Sequence, residues 1–235
     1  MNNTQDNTAA SLERYSQIQK NTVDASNQLK GSKSIRFINP NGSGKRIMFV
    51  GNSITLHGVK ESIGWYNEWG MAASAREKDY VHLLMEKFKK TDLDAAFCIC
   101  QVADWERSYK NGEQVYEKFK PARDFCADII ICRFVENCSA KDYDSEIFSR
   151  EYTAFVKYLN KGNARLILST SFWAHPADAD ILKIGALLGC PVAKLGDLGE
   201  DDEMKAIGLF SHDGVAIHPG DKGMKAIAQR IWEKI

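Results

Sequence analysis

The sequence predicts an α/β fold, a mainly parallel sheet buried between helices. Three observations predict it. Five short runs are continuously apolar rather than alternating, as strands covered on both faces are. Stretches with apolar residues at helical spacing separate these runs, and strands alternating with helices give a sheet with helices on both faces. The length of 235 residues suits a single α/β domain.

In chain order, residues 1–33 are polar, and Leu12, Tyr15, Ile18, Val23 and Leu29 give only weak helical spacing. Ser34-Ile35-Arg36-Phe37-Ile38 alternates like a short strand, and Asn39-Pro40-Asn41-Gly42-Ser43-Gly44 is a turn cluster. Residues 1–44 therefore read as a polar arm with a short strand, and 45–235 as the main domain. The buried strands are expected at Arg46–Val50, Ala95–Val102, Asp128–Val135, Arg165–Thr170 and, more weakly, Pro191–Leu195. Helical spacing runs over Asp79–Lys90, Ser145–Leu159, Ala179–Leu188 and Lys222–Ile235.

Composition removes several function classes. Lys+Arg and Asp+Glu both number 31, so no global field gathers nucleic acid or an anionic membrane. No run approaches the roughly 20 apolar residues of a membrane span. The six cysteines form no Cys-x-x-Cys pair and sit mostly in apolar runs, which predicts buried free thiols. Met1–Ala10 lacks the apolar core of a secretory signal; with reduced cysteines this predicts a cytoplasmic protein.

In parallel α/β sheets the site forms at the carboxyl ends of the strands, so chemistry is sought in the residues that follow them. After the first run comes Gly51-Asn52-Ser53-Ile54-Thr55, a tight turn that suits a nucleophilic serine; a plain turn serine or helix cap is the alternative. The phosphate-cradling P-loop pattern is absent. After the third run comes Glu136-Asn137-Cys138, where an Asn amide can donate to an oxyanion or simply complete a turn. Before the last helix comes Ser211-His212-Asp213-Gly214-Val215-Ala216-Ile217-His218-Pro219-Gly220. A serine needs a base within hydrogen-bond reach and the base needs an orienting group, which His218 and Asp213 can supply from one loop. His212 is the alternative base. A metal reading of this loop lacks further ligands at matching spacing.

Taken together and in this order, Ser53, Asn137 and the Asp213/His218 pair resemble the SGNH, or GDSL, hydrolase family, and the resemblance runs from about Arg46 to Ile235. It implies a three-layer α/β/α sandwich with a five-stranded, mainly parallel sheet. It also implies ester hydrolysis through an acyl-enzyme, with Ser53 as nucleophile, His218 as base, Asp213 orienting it, Asn137 as oxyanion donor, and no cofactor or metal. Three departures stand out. Asn52 replaces the family's Asp. The Asp213–His218 gap is five residues rather than three. The stretch after the second strand, Val102-Ala103-Asp104-Trp105-Glu106, has no glycine, so a backbone N–H of Ala103 or Asp104 is expected to join that of Ser53 in the oxyanion hole. The α/β-hydrolase elbow fits less well, because Gly-x-Ser-x-Gly fails at Thr55.

The expected partner is a small-molecule ester, not nucleic acid or membrane. His57, Trp105, Glu136 and Trp173 are candidate substrate contacts, and Trp65 and Trp69 candidate pocket walls, with core packing as the competing role for the tryptophans. Aromatic faces stack on sugar rings, which favours an acetyl ester on a carbohydrate. A catalytically silent carbohydrate-binding domain and a longer-chain lipase or thioesterase are the alternatives. Residues 1–44 are candidates for covering a sheet edge or for contacts in a homo-oligomer.

Overall fold

The computed structural model describes residues 34–235; the weak helical spacing between Leu12 and Leu29 lies outside them. Six strands form one sheet: β1 (Ile35–Ile38), β2 (Arg46–Gly51), β3 (Ala96–Gln101), β4 (Ile129–Arg133), β5 (Arg165–Ser169) and β6 (Val192–Ala193). Their order is β1-β3-β2-β4-β5-β6. The five expected strands are all parallel to one another. The sixth is the short strand of the N-terminal arm, which pairs antiparallel with β3 and covers that edge. The sheet therefore has one strand more than the five-stranded expectation.

Helices cover both faces. Side chains alternate along β2, so Ile47 and Phe49 enter one apolar cluster while Met48 and Val50 enter the other. The first cluster is closed by α1 (Tyr80–Lys89) and the C-terminal α7 (Asp221–Trp232). The second is closed by α2 (Ala103–Ser108), the 3₁₀ segment Tyr109–Phe119, α3 (Lys120–Asp124), α4 (Ser145–Leu159) and α5 (Ala177–Leu188). A one-turn α6 (Asp213–Ala216) precedes α7. This is the three-layer sandwich that the resemblance implied.

Local chemistry fixes the helix ends. Asp79 caps α1 by accepting from His82 N at 2.8 Å, and Asp144 caps α4 by accepting from Ile147 N at 2.9 Å. Gly189, left-handed at φ 65°, ends α5. Three of the four tryptophans offered as pocket walls or substrate contacts are core residues. Trp65 and Trp69 pack edge-to-face at 6.0 Å inside the first cluster. Trp105 is fully buried in the second, stacked on Phe155 at 4.9 Å. Its place on the inward face of α2 removes it as a substrate contact.

Of the six cysteines, all free, four are buried, Cys190 is half-buried and Cys126 is exposed. Among the described residues no helix is long and apolar enough to cross a membrane.

Candidate active site

The central position of β2 decides where the site forms. Gly51 at its end lies level with Gln101 of β3 on one side and Arg133 of β4 on the other. The residues following β3 and β4 thus flank the turn that follows β2. Gly51 cannot carry a side chain here: a Cβ would stand 1.7 Å from Thr55 Oγ1 and 2.9 Å from the Arg133 carbonyl. The turn is closed by Thr55 and Leu56 N–H groups donating to Asn52 O, both at 2.9 Å. The Trp69–Ser74 segment braces it, as Met71 N–H donates to Ser53 O at 2.8 Å. Gly70 permits this approach, because a Cβ there would meet Ile54 O at 2.4 Å. Asp221 of α7 anchors the same segment through Ser74 N and Oγ.

From this turn Ser53 Oγ meets His218 Nε2 at 2.9 Å. The other ring nitrogen, Nδ1, lies 2.6 Å from the Gly214 carbonyl. A carbonyl only accepts, so Nδ1 carries the proton and Nε2 presents its lone pair to the serine. Burial pushes the His218 pKa down to about 4, with the bond to Gly214 working in the opposite direction. At neutral pH the imidazole is therefore uncharged and able to take a proton.

The structure does not bring Asp213 to this imidazole. Residues 213–216 form one helical turn, which leaves the Asp213 side chain exposed. The last carbonyls of a helix lack intrahelical partners, so Gly214 O is free to accept from the ring four residues on. The lengthened gap thus places a backbone carbonyl where the family pattern has a carboxylate. His212, the alternative base, is exposed, and the described partner of Ser53 is His218.

Asn137 follows β4 and is half-buried. Its Nδ2 donates to Glu106 Oε2 at 2.5 Å, and Arg107 Nη2 reaches its Oδ1 at 3.4 Å. One amide hydrogen remains for another acceptor. Among the described residues the Ser53 and Asp104 N–H groups donate to nothing, whereas Ala103 N–H donates to Gln101 Oε1 at 3.2 Å. Asp104 is the freer of the two candidates after β3.

Glu136 is not a substrate contact. Its Oε1 accepts from Arg133 Nη1 at 2.7 Å and from Phe172 N at 2.9 Å, and its Oε2 from Asn52 Nδ2 at 2.5 Å and Arg133 Nη2 at 3.0 Å. Burial opposes its charge, but Arg133 and these hydrogen bonds outweigh burial and hold its pKa below the usual value. The bond to Phe172 also fixes the loop after β5, which seats Trp173 edge-on to His218 at 5.0 Å. His57 is half-buried; its backbone is tied to Trp65 and Trp69, and its side chain contacts Gly58 O through Nδ1 at 2.6 Å. It lies close enough to His218 for their charges to repel. His57 and Trp173 thus border the Ser53–His218 pair.

Sequence reasoning missed the ions beneath the turn. Arg133 is fully buried and donates through Nη2 to Asn52 Oδ1 at 2.6 Å as well as to Glu136. Glu106 accepts from Asn52 Nδ2 at 2.9 Å. An arginine inside an otherwise apolar strand was the signal, since a buried cation requires a buried anion. Among the described residues no group of three or more His, Cys, Asp or Glu side chains is arranged to hold a metal.

No family model and no curated protein matches the chain by sequence. Solved structures do match by shape. One is a two-domain esterase active on acetylated mannans, with TM-score 0.56, 18% identity, and coverage of 83% of this chain and 50% of that one. A psychrotrophic esterase from Pseudoalteromonas sp. matches at TM-score 0.52 and 13% identity, covering 81% of this chain and 96% of its own. An acetyl xylan esterase matches at 0.51 and 19%, covering 81% and 99%. The fold is shared with these esterases. At these identities the likeness is one of fold, and the chain spans about half the length of the mannan esterase. Within this fold, the turn after β2 and the loop before α7 are the two segments that meet at Ser53 and His218.

Proposed function

We propose that this protein is a serine esterase that cleaves a small ester through an acyl-enzyme, with Ser53 as nucleophile and His218 as general base. The observation that carries the reading is the 2.9 Å contact between Ser53 Oγ and the Nε2 of a neutral, Gly214-oriented imidazole. His218 Nε2 takes the Ser53 proton as Oγ bonds to the ester carbonyl carbon. The carbonyl oxygen becomes an oxyanion facing the Ser53 N–H, the remaining Asn137 amide hydrogen and the Asp104 N–H. The ester C–O bond then breaks, and the leaving alcohol takes the proton from Nε2. Water, deprotonated by the same nitrogen, attacks the acyl-enzyme and releases the acid, returning the proton to Ser53.

An acetyl group on a carbohydrate is the substrate class we favour. Trp173 and His57 beside the pair can face a sugar ring, and two structures of the same fold are esterases of acetylated polysaccharides. A cytoplasmic setting belongs to the same proposal, supported by six cysteines without a disulfide. The test is labelling with a fluorophosphonate, followed by a panel of p-nitrophenyl esters of rising acyl length. Adduct on Ser53 and a preference for acetate are expected. An unlabelled Ser53 with tight carbohydrate binding would instead make the chain a silent binding domain, and a preference for long acyl chains would make it a lipase or thioesterase.

Asp213 offers a sharper check on the mechanism. Because Gly214 O rather than a carboxylate orients His218, Asp213→Ala is expected to change kcat by no more than about twofold, as an exposed side chain should. A loss on the order of 10³-fold or more, the cost of removing a true triad acid, would return the orienting role to Asp213.

A further inference from the structure

Beneath the nucleophile turn lies a carboxyl group that the proposed mechanism does not use. Glu106 sits in α2 and is 1% exposed. Each of its oxygens accepts from a side-chain amide: Oε1 from Asn52 at 2.9 Å and Oε2 from Asn137 at 2.5 Å. Both partners donate N–H. A carboxylate satisfies both, whereas a protonated acid turns an O–H toward one of them and loses that bond. One end of this clamp is in the turn that carries Ser53. The other is the amide assigned to the oxyanion.

We propose that Glu106 is a positioning residue whose carboxylate ties the Asn137 amide to the Ser53 turn, so that protonation of Glu106 slackens the oxyanion site and lowers kcat. This rests on the esterase reading. Asn52 fits the same design. It donates to two carboxylates, Glu106 and Glu136, while accepting from Arg133; an Asp in its place would crowd three carboxylates around one guanidinium.

The charges facing Glu106 are few. Glu136 follows β4, Arg133 comes from β4 itself, and the Cys138 thiol beyond them is kept neutral by burial and by both carboxylates. Arg107 is next along α2 and holds the far side of Asn137. Burial, then Glu136, pushes the Glu106 pKa up to about 7, against the pull of the two amides and Arg133. His218 is pushed the other way, to about 4. The two titrations are therefore separated. As pH falls through about 7 the clamp is lost first, while His218 is still neutral and able to act as base.

The experiment measures kcat and KM for acetate release from p-nitrophenyl acetate across this range, in the wild type, E106Q, N137A and E106Q/N137A. In parallel, NMR follows the side-chain amide signals of Asn52 and Asn137. Removing an oxyanion donor outright costs roughly 10²–10³-fold, so slackening one is expected to cost roughly tenfold in kcat with KM little changed. The wild type should show this step near the Glu106 pKa. E106Q should be flat there, at the wild type's low-pH level, because Gln offers one acceptor where two are needed. On the N137A background E106Q should cost less than about twofold, since coupled residues are not additive. The amide signals should inflect with pH in the wild type and not in E106Q. A step retained in E106Q, an undiminished cost on N137A, or amide signals that do not titrate overturns the proposal. Titrating amides in a wild type that turns over no ester would sink the esterase reading and leave the Glu106 clamp standing.

Discussion

Ser53→Ala and His218→Ala are each expected to lower kcat for p-nitrophenyl acetate by roughly 10⁴–10⁶-fold, and the double variant by no more than the worse single one. In the proposed mechanism the two residues act as one unit, so losing either removes the same step. The fold should survive both changes. Ser53 lends its side chain to no described group but His218, and the turn around it is held by backbone bonds from Thr55, Leu56 and Met71. Thermal melting within a few degrees of the wild type would show that the loss is chemical. Variants as active as the wild type would remove Ser53 and His218 from the reaction altogether. Single losses that multiply in the double variant would mean that the two residues serve separate steps.

Arg133→Met should have the largest effect on stability. The guanidinium is wholly buried and is the cation shared by Glu136, Glu106 and the Asn52 side chain. Burial opposes its charge, but Glu136 and its other anionic neighbours more than compensate and raise its pKa. Removing one member of such a pair leaves an uncompensated charge and costs roughly 3–5 kcal/mol. In a domain of this size that is about 6–20 °C in Tm. The sign of its pH dependence follows from Glu136. With Arg133 present, the Glu136 carboxyl is held below its ordinary pKa and stabilises the fold above that range. Without Arg133, the buried carboxylate is a liability at neutral pH that protonation relieves. The Tm deficit of R133M should therefore shrink as pH falls toward 5, and R133M/E136Q should recover part of it. Circular-dichroism melts at two pH values check this. A deficit equal at both, or absent, would mean that the ion pair contributes no net stability.

The fold was legible from local patterns. Continuous apolar runs fall on β2, β3, β4 and β5, and the helical spacing over Ser145–Leu159 matches α4 residue for residue. These signals survive translation into structure because burial on two faces, or on one helical stripe, is written in consecutive residues. The extra strand came from a four-residue alternation, Ile35–Ile38, whose place beside β3 depends on pairing partners some sixty residues away. The tryptophans misled, because aromatic residues serve walls and cores alike, and only packing on Phe155 or on Trp65 separates the two.

For the site, the sequence by itself singled out three segments that the structure brings together: the Gly51–Thr55 turn, the Asn137 loop and the loop that ends in His218. Each follows a strand or precedes the last helix, and sequence order alone locates those points. Only the tertiary structure decided what each group touches. It set the Gly214 carbonyl against His218 in place of Asp213, and turned Glu136 inward onto Arg133. It also joined Glu106 to Asn52 and Asn137. The reason is physical. A hydrogen bond is won or lost over less than an ångström, and that distance is set by the register of β2 between β3 and β4 and by one turn of helix before His218.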